Sequence, residues 1–157
     1  MRHLPTLLAQ LALLALVTGC ATTDQAQLEP GQRFSDCADC PEMVVIGPGS
    51  FAMGFDGGEP ERYEGPVRTV TIDYSFALGL TEVTVAQYRD FVAETGYSAA
   101  QGCFAWDGVV AEMRDEANWQ NPGYGRSLTD NEPVVCVDWV DVKAYVDWLA
   151  DKTGQPY

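Results

Sequence analysis

Five cysteines, at positions 20, 37, 40, 103 and 136, constrain the fold of this chain more than any other feature. Cys20 closes an apolar leader. The other four form an even set, which suits disulfides in an oxidising compartment, and four cysteines allow three pairings. Cys37–Cys40 with Cys103–Cys136 is the favoured one. The longer bridge closes the loop 103–136 and ties an irregular stretch to an expected strand, for roughly 4 kcal/mol by chain entropy. Cys37-Ala38-Asp39-Cys40 also has the C-x-x-C spacing of redox centres and half metal sites. Its context argues against both. It precedes a strand instead of opening a helix, there is no second C-x-x-C, and the chain's one His is His3.

The leader supplies the oxidising compartment. Arg2 is basic, and Leu7 to Val17 is apolar except for Gln10. A membrane-spanning helix needs about 20 apolar residues, so this run suits a signal peptide better. Val17-Thr18-Gly19-Cys20 then resembles a bacterial lipobox. The resemblance implies diacylglycerol on the Cys20 sulfur, cleavage before it, and acylation of the new terminus. A plain secretory signal is the alternative. Several acyl chains on one residue anchor firmly, since each buried CH₂ contributes about 0.8 kcal/mol. The bilayer is thus the first expected partner. Ala21, standing where an Asp would argue for retention, favours the outer membrane of a bacterial envelope, facing the periplasm. Residues 1–19 read as the signal, 20–34 as a tether, and 35–157 as the folded part.

Lys plus Arg total 9 against 23 for Asp plus Glu, a formal net charge of −14. That field repels phosphate, so nucleic acid is excluded as a partner, as is electrostatic binding to anionic lipid. Cleavage before Cys20 removes His3 and with it every imidazole, so neither a His triad nor a His-ligated metal is available.

The periodicity changes along the mature chain. Met43–Ile46 is a short apolar run broken by Gly47-Pro48-Gly49, and Phe51–Gly54 resumes it, predicting a strand, a tight turn and a second strand or edge. Val67–Asp73 alternates and is rich in β-branched residues, the clearest strand signal. Phe76–Leu80 reads as another strand. Thr84-Val85-Ala86-Gln87 has the capping-box pattern, Val85, Tyr88, Phe91 and Val92 form one helical stripe, and Gly96 is a stop, predicting a helix over 85–95. From 97 to 132 no period is visible. A connection longer than about 15 residues without its own elements is often functional. Pro133–Val137 reads as a buried strand. Asp138 can cap a second helix over 139–152, with Val142, Tyr145, Val146 and Leu149 inward and Gly154 and Pro156 as stop signals.

Four blocks of this pattern carry a family resemblance. They are Cys37–Gly54, Gly65–Ile72 with Thr81–Tyr88, Pro133–Trp139, and Lys152-Thr153-Gly154-Gln155-Pro156-Tyr157. In order and approximate spacing they resemble the front portion of the formylglycine-generating-enzyme (sulfatase-modifying factor) family. The resemblance implies an α+β, C-type-lectin-like fold with much irregular structure, incomplete here. It also implies that the catalytic cysteine pair, the copper it holds, and the calcium ligands belong to a C-terminal half that these blocks precede. No catalytic residue and no metal ligand is therefore assigned to any position. Cys103 and Cys136 could in principle hold Cu(I) as a thiolate pair. Their place ahead of the catalytic half, with Cys136 in an expected buried strand, favours the bridge.

The remaining candidates have plain readings. Asp56, Glu59, Glu61 and Glu64 form an acidic loop whose spacing fits no EF-hand. Asp36, Asp39 and Glu42 read as solvated. Trp139 and Trp148 are expected in the core, and Trp106 and Trp119 either pack or present a stacking surface. Two functions follow. The first is a membrane-anchored fragment of a formylglycine-generating-enzyme-like protein, whose intact parent is an oxidoreductase modifying a protein or peptide cysteine. The second is a non-catalytic, lectin-like envelope module for a protein or glycan. A front half alone is expected to expose apolar faces and strand edges and to fold poorly or aggregate.

Overall fold

The computed structural model describes residues 28–58, 61, 64–106 and 108–157. The signal, Cys20, the tether up to residue 27 and Glu59 lie outside the described residues. Among those described, no helix is long and apolar enough to cross a membrane.

Two helices organise the core. In α1, Val85–Thr95, the Thr84 hydroxyl accepts from the Gln87 amide while the Gln87 side chain accepts from the Thr84 amide. Gly96 ends the helix in the left-handed region, at φ 68°, where its amide donates to Val92. A side chain there would meet the β-carbon penalty that glycine escapes. In α2, Trp139–Thr153, Asp138 accepts from the amides of Val140 and Asp141, and Asp141 returns the favour to the Asp138 amide. The stripe predicted for α1 is the buried face: Val85, Tyr88 and Phe91 are buried, with Val92 packed beside them. Tyr145 and Leu149 come from α2 and Trp119 from the loop region. The Phe91 ring lies 5.1 Å from Tyr97, 5.7 Å from Tyr145 and 5.5 Å from Trp148. Such edge and tilted contacts suit the aromatic quadrupole.

Three small antiparallel sheets surround the helices. β1 (Arg33–Phe34), β2 (Met43–Ile46) and β5 (Phe76–Gly79) form one sheet in the order β1-β2-β5. β3 (Gly49–Met53) and β4 (Arg68–Ile72) form a second, with Phe51 opposite Val70. The consecutive strands β2 and β3 thus go to different sheets. Gly54, at φ 106°, follows β3, and a β-carbon there would lie 2.6 Å from the Glu64 carbonyl oxygen. β6 (Cys103–Trp106) and β7 (Ala111–Arg114) make the third sheet, inside the stretch that showed no period.

Four expectations are corrected. Arg33 and Phe34, assigned to the tether, pair with Val44 and Met43, so ordered structure starts before residue 35. Pro133–Val137 is not a strand. It makes one bridge, Thr84 to Pro133, and then Cys136 takes φ 58°, a left-handed value that no strand accommodates. Trp139 is exposed rather than core, at 77%. It stands two residues before Asp141, about 200° round the helix from the buried Asp141–Tyr145–Leu149 face. Asp36 is not merely solvated, because it accepts the Tyr157 hydroxyl.

Candidate functional site

The second helix is covered on one side and open on the other. On the covered side Asp141, 1% exposed, gathers a knot of donors. Its carboxylate accepts from the Tyr97 hydroxyl at 3.0 Å, the Ala100 amide at 3.2 Å and the Asp138 amide at 3.0 Å. One buried charge is thereby satisfied and the loop after α1 is tied to the start of α2. Sequence reading missed this role. The signal was Asp three residues after the Asp cap, the reciprocal capping pattern written with an acid.

The open side is an apolar furrow. One cavity of about 190 Å³ lies between Val83, Val134 and Val137 on one wall and Val142, Tyr145 and Leu149 of α2 on the other. A second, of about 450 Å³, runs along β5 past Phe76 and Leu78. Met43, Gly79, Val146 and Tyr157 line both, so the two adjoin. Tyr88 and Tyr145 line the first, and their buried hydroxyls have no hydrogen-bond partner. Burial, then the charge of Asp141, raises the Tyr88 phenol above the ordinary tyrosine range. Burial, then Asp90, pushes Tyr145 up to about 12. Tyr157 is raised by burial and by its hydrogen bond to Asp36.

The four cysteines are bridged as Cys37–Cys40 and Cys103–Cys136. Cys40 is buried in the aromatic core with Cys37 packed against it, a structural setting. Cys103–Cys136 joins β6 to the segment that leads into α2. With both pairs oxidised, this region offers no thiolate for copper. Among the described residues no group of three or more His, Cys, Asp or Glu could hold a metal ion. Asp56 spends one carboxylate oxygen on the Val67 amide at 3.1 Å. The copper and calcium implied for an intact family member thus do not fit the residues described.

The tryptophans divide. Trp119 is buried and Trp148 half-buried, its indole donating to Glu94. Trp106 is 54% exposed on the β6–β7 hairpin, on one face with Phe104 and Met113.

The described residues form a mixed fold of short sheets around two packed helices, pinned by two disulfides. Its relatives give the family. Residues 29–153 match the sulfatase-modifying factor enzyme 1-like domain. The chain is 36% identical over 135 residues to a formylglycine-generating enzyme of Thermomonospora curvata, covering 70% of this chain and 44% of that protein. It is 34% identical over 134 residues to the inactive C-alpha-formylglycine-generating enzyme 2 of Mus musculus, covering 71% and 43%. The solved structure of PvdO from Pseudomonas aeruginosa superposes with a TM-score of 0.66 at 37% identity, covering 82% of this chain and 46% of PvdO. The chain belongs to the formylglycine-generating-enzyme (sulfatase-modifying factor) family and has its α+β fold. It spans about half the length of the relatives it matches.

Proposed function

We propose that these residues are the scaffold half of a membrane-anchored formylglycine-generating-enzyme-like protein. Acylated Cys20 holds the domain to the bacterial envelope, at the outer membrane facing the periplasm. The intact parent is an oxidoreductase that modifies a cysteine of a protein or peptide, and its reacting groups lie in the half not matched here. The observation that carries this reading is the consumption of Cys37, Cys40, Cys103 and Cys136 in two disulfides, which leaves no free thiol among the described residues. Mass spectrometry of a cysteine-containing sulfatase-type peptide, incubated with the purified chain, Cu(I) and oxygen, tests it. No conversion of the thiol to an aldehyde is expected. Conversion by this chain alone overturns the assignment.

A second reading has its own support. Phe104 and Met113, 69% and 61% exposed, flank Trp106 on one hairpin face. Such a face suits stacking on a sugar or packing against a protein, as in a lectin-like envelope module. Saturable glycan binding that is abolished by Trp106→Ala, without metal, favours it over the first.

A further inference from the structure

The loop 118–132 folds back over the first turn of α1. Two opening amides of the helix donate into it, Val85 to the Glu132 carbonyl at 2.9 Å and Ala86 to the Asp130 carbonyl at 3.1 Å. Helix starts leave such amides without intrahelical partners, so each bond fastens loop to helix. At the loop's other end the Asn118 side chain accepts from the Gln120 and Asn121 amides, both at 3.0 Å. Arg126 donates to the Glu132 carboxylate at 2.8 Å. The loop is thus fixed at both ends before any ligand arrives, which lowers the ordering cost of binding.

Between this loop and the helix lies a cavity of about 290 Å³. Val85, Trp119 and Leu128 line it with apolar surface, and Arg89, Gln120 and Ser127 with polar groups. Val85 and Arg89 are four residues apart and share one face of α1. The Arg89 guanidinium is already matched in charge, because an Asp130 carboxylate oxygen lies 2.9 Å from it. The two side chains are 50% and 68% exposed, so each keeps polar atoms open to water. Gln120 carries donors and an acceptor in one amide, and the Ser127 hydroxyl can do either.

This set of groups selects a ligand class. An anion would meet the Asp130 carboxylate and a chain of formal net charge −14. A wholly apolar ligand would cover three polar side chains without giving them partners. A small, uncharged, hydroxyl-rich ring suits both kinds of wall, with its hydroxyls toward the polar groups and its C–H surface toward the apolar ones. Pockets for drug-sized ligands run to about 300–1,000 Å³, so the volume here suits a single ring.

We infer that the cleft between loop 118–132 and α1 binds one neutral sugar ring, with Arg89, Gln120 and Ser127 as its hydrogen-bonding groups. These residues are separate from the hairpin face around Trp106, and the scaffold reading neither requires nor forbids the site.

The test titrates the isotopically labelled full chain with glucose, galactose and mannose and follows its amide and indole signals by NMR. Saturable binding at about millimolar strength by at least one of them is expected, with shifts centred on Val85, Trp119, Gln120 and Ser127. Gln120 and Ser127 are exposed, so Gln120→Ala and Ser127→Ala should leave the melting temperature unchanged. Each should weaken binding about fivefold, the loss of one hydrogen bond. Trp106→Ala should leave the affinity as it is. No saturable shift with any of the three sugars would overturn the inference, as would glucuronate or inorganic phosphate binding more tightly than the neutral sugars. Binding that Trp106→Ala abolishes and Gln120→Ala and Ser127→Ala leave intact would reject the cleft and favour the hairpin face instead.

Discussion

The two sides of α2 differ in completeness. Toward α1, the large rings have neighbours and the one buried carboxylate among the described residues is well supplied with donors. Phe91 meets three aromatic rings, and Asp141 accepts from a phenol and two amides. Toward β5, the same helix offers Val142 and Val146 to a furrow, and the buried hydroxyl of Tyr145 has no hydrogen-bond partner. Residues of similar apolar character thus have opposite fates one helical face apart. Apolar content decides that a face will be buried, but not by what. The covered side is closed by residues within reach along this chain, and the other side is left as an open furrow.

The largest expected effect comes from emptying the covered side. Phe91→Ala should cost about 3–5 kcal/mol, as for other buried aromatics cut to alanine, and chemical denaturation would measure it. A loss under about 1 kcal/mol would mean that the covered side is no tighter than the open one. Replacing the Cys103–Cys136 bridge with two serines should cost somewhat less, about 2–4 kcal/mol, because the loop 103–136 regains freedom mainly in the unfolded chain. That bridge also anchors the segment carrying Val134 and Val137, one wall of the furrow. Amide exchange should therefore rise along 133–137 before it rises in α1.

Asp141→Ala removes the reciprocal half of the capping box and strands three donors, for about 1–3 kcal/mol. Local exchange at Ala100 would separate it from a general loss of stability. Tyr145→Phe deletes a buried hydroxyl that has no partner. The chain alone should be unchanged or more stable, by up to about 1 kcal/mol.

Tyr145 also gives the comparison a pH signature. Its folded value is pushed up to about 12, above the ordinary 10.0. Below pH 10 both states keep the proton and its contribution is whole. Between pH 10 and about 12 the unfolded chain releases the proton while the folded chain holds it, so stability falls with rising pH. Denaturation midpoints across that window should decline, and less steeply in Tyr145→Phe. The smallest effect is expected from Lys152→Ala. Its pair with Glu94 lies at the surface, where water and salt screen it, and such pairs contribute little. That pair and the Trp148 indole hold the Glu94 carboxyl below its usual range. Its small contribution is therefore lost only as pH falls through the carboxylate range.

Much of this was legible in the chain because it is local. Thr84, Gln87 and Gly96 bound α1 through contacts three or four residues apart, and Asp138 and Gly154 do the same for α2. The β-branched run around Val70 can hardly be anything but a strand. The β6–β7 hairpin was not legible, because Cys103 and Ala105 face inward while Phe104 and Trp106 face out, and all four are apolar. Alternation is invisible when both faces look alike. Trp139 misled for the related reason that a large ring suggests burial, whereas its place is set by the rotation of α2.

The amino-acid order determined by itself the two helices with their caps, the strand patterns around Val45 and Val70, and a set of cysteines fit for two bridges. Only tertiary structure decided that β2 pairs with β5 and not with β3, that Cys136 turns left-handed where a strand was expected, and which face of α2 is covered. The physical reason is range. Caps, stops and alternation act over a few residues of backbone. Sheet partners, bridges and the closure of an apolar face depend on what else arrives at the same place in space.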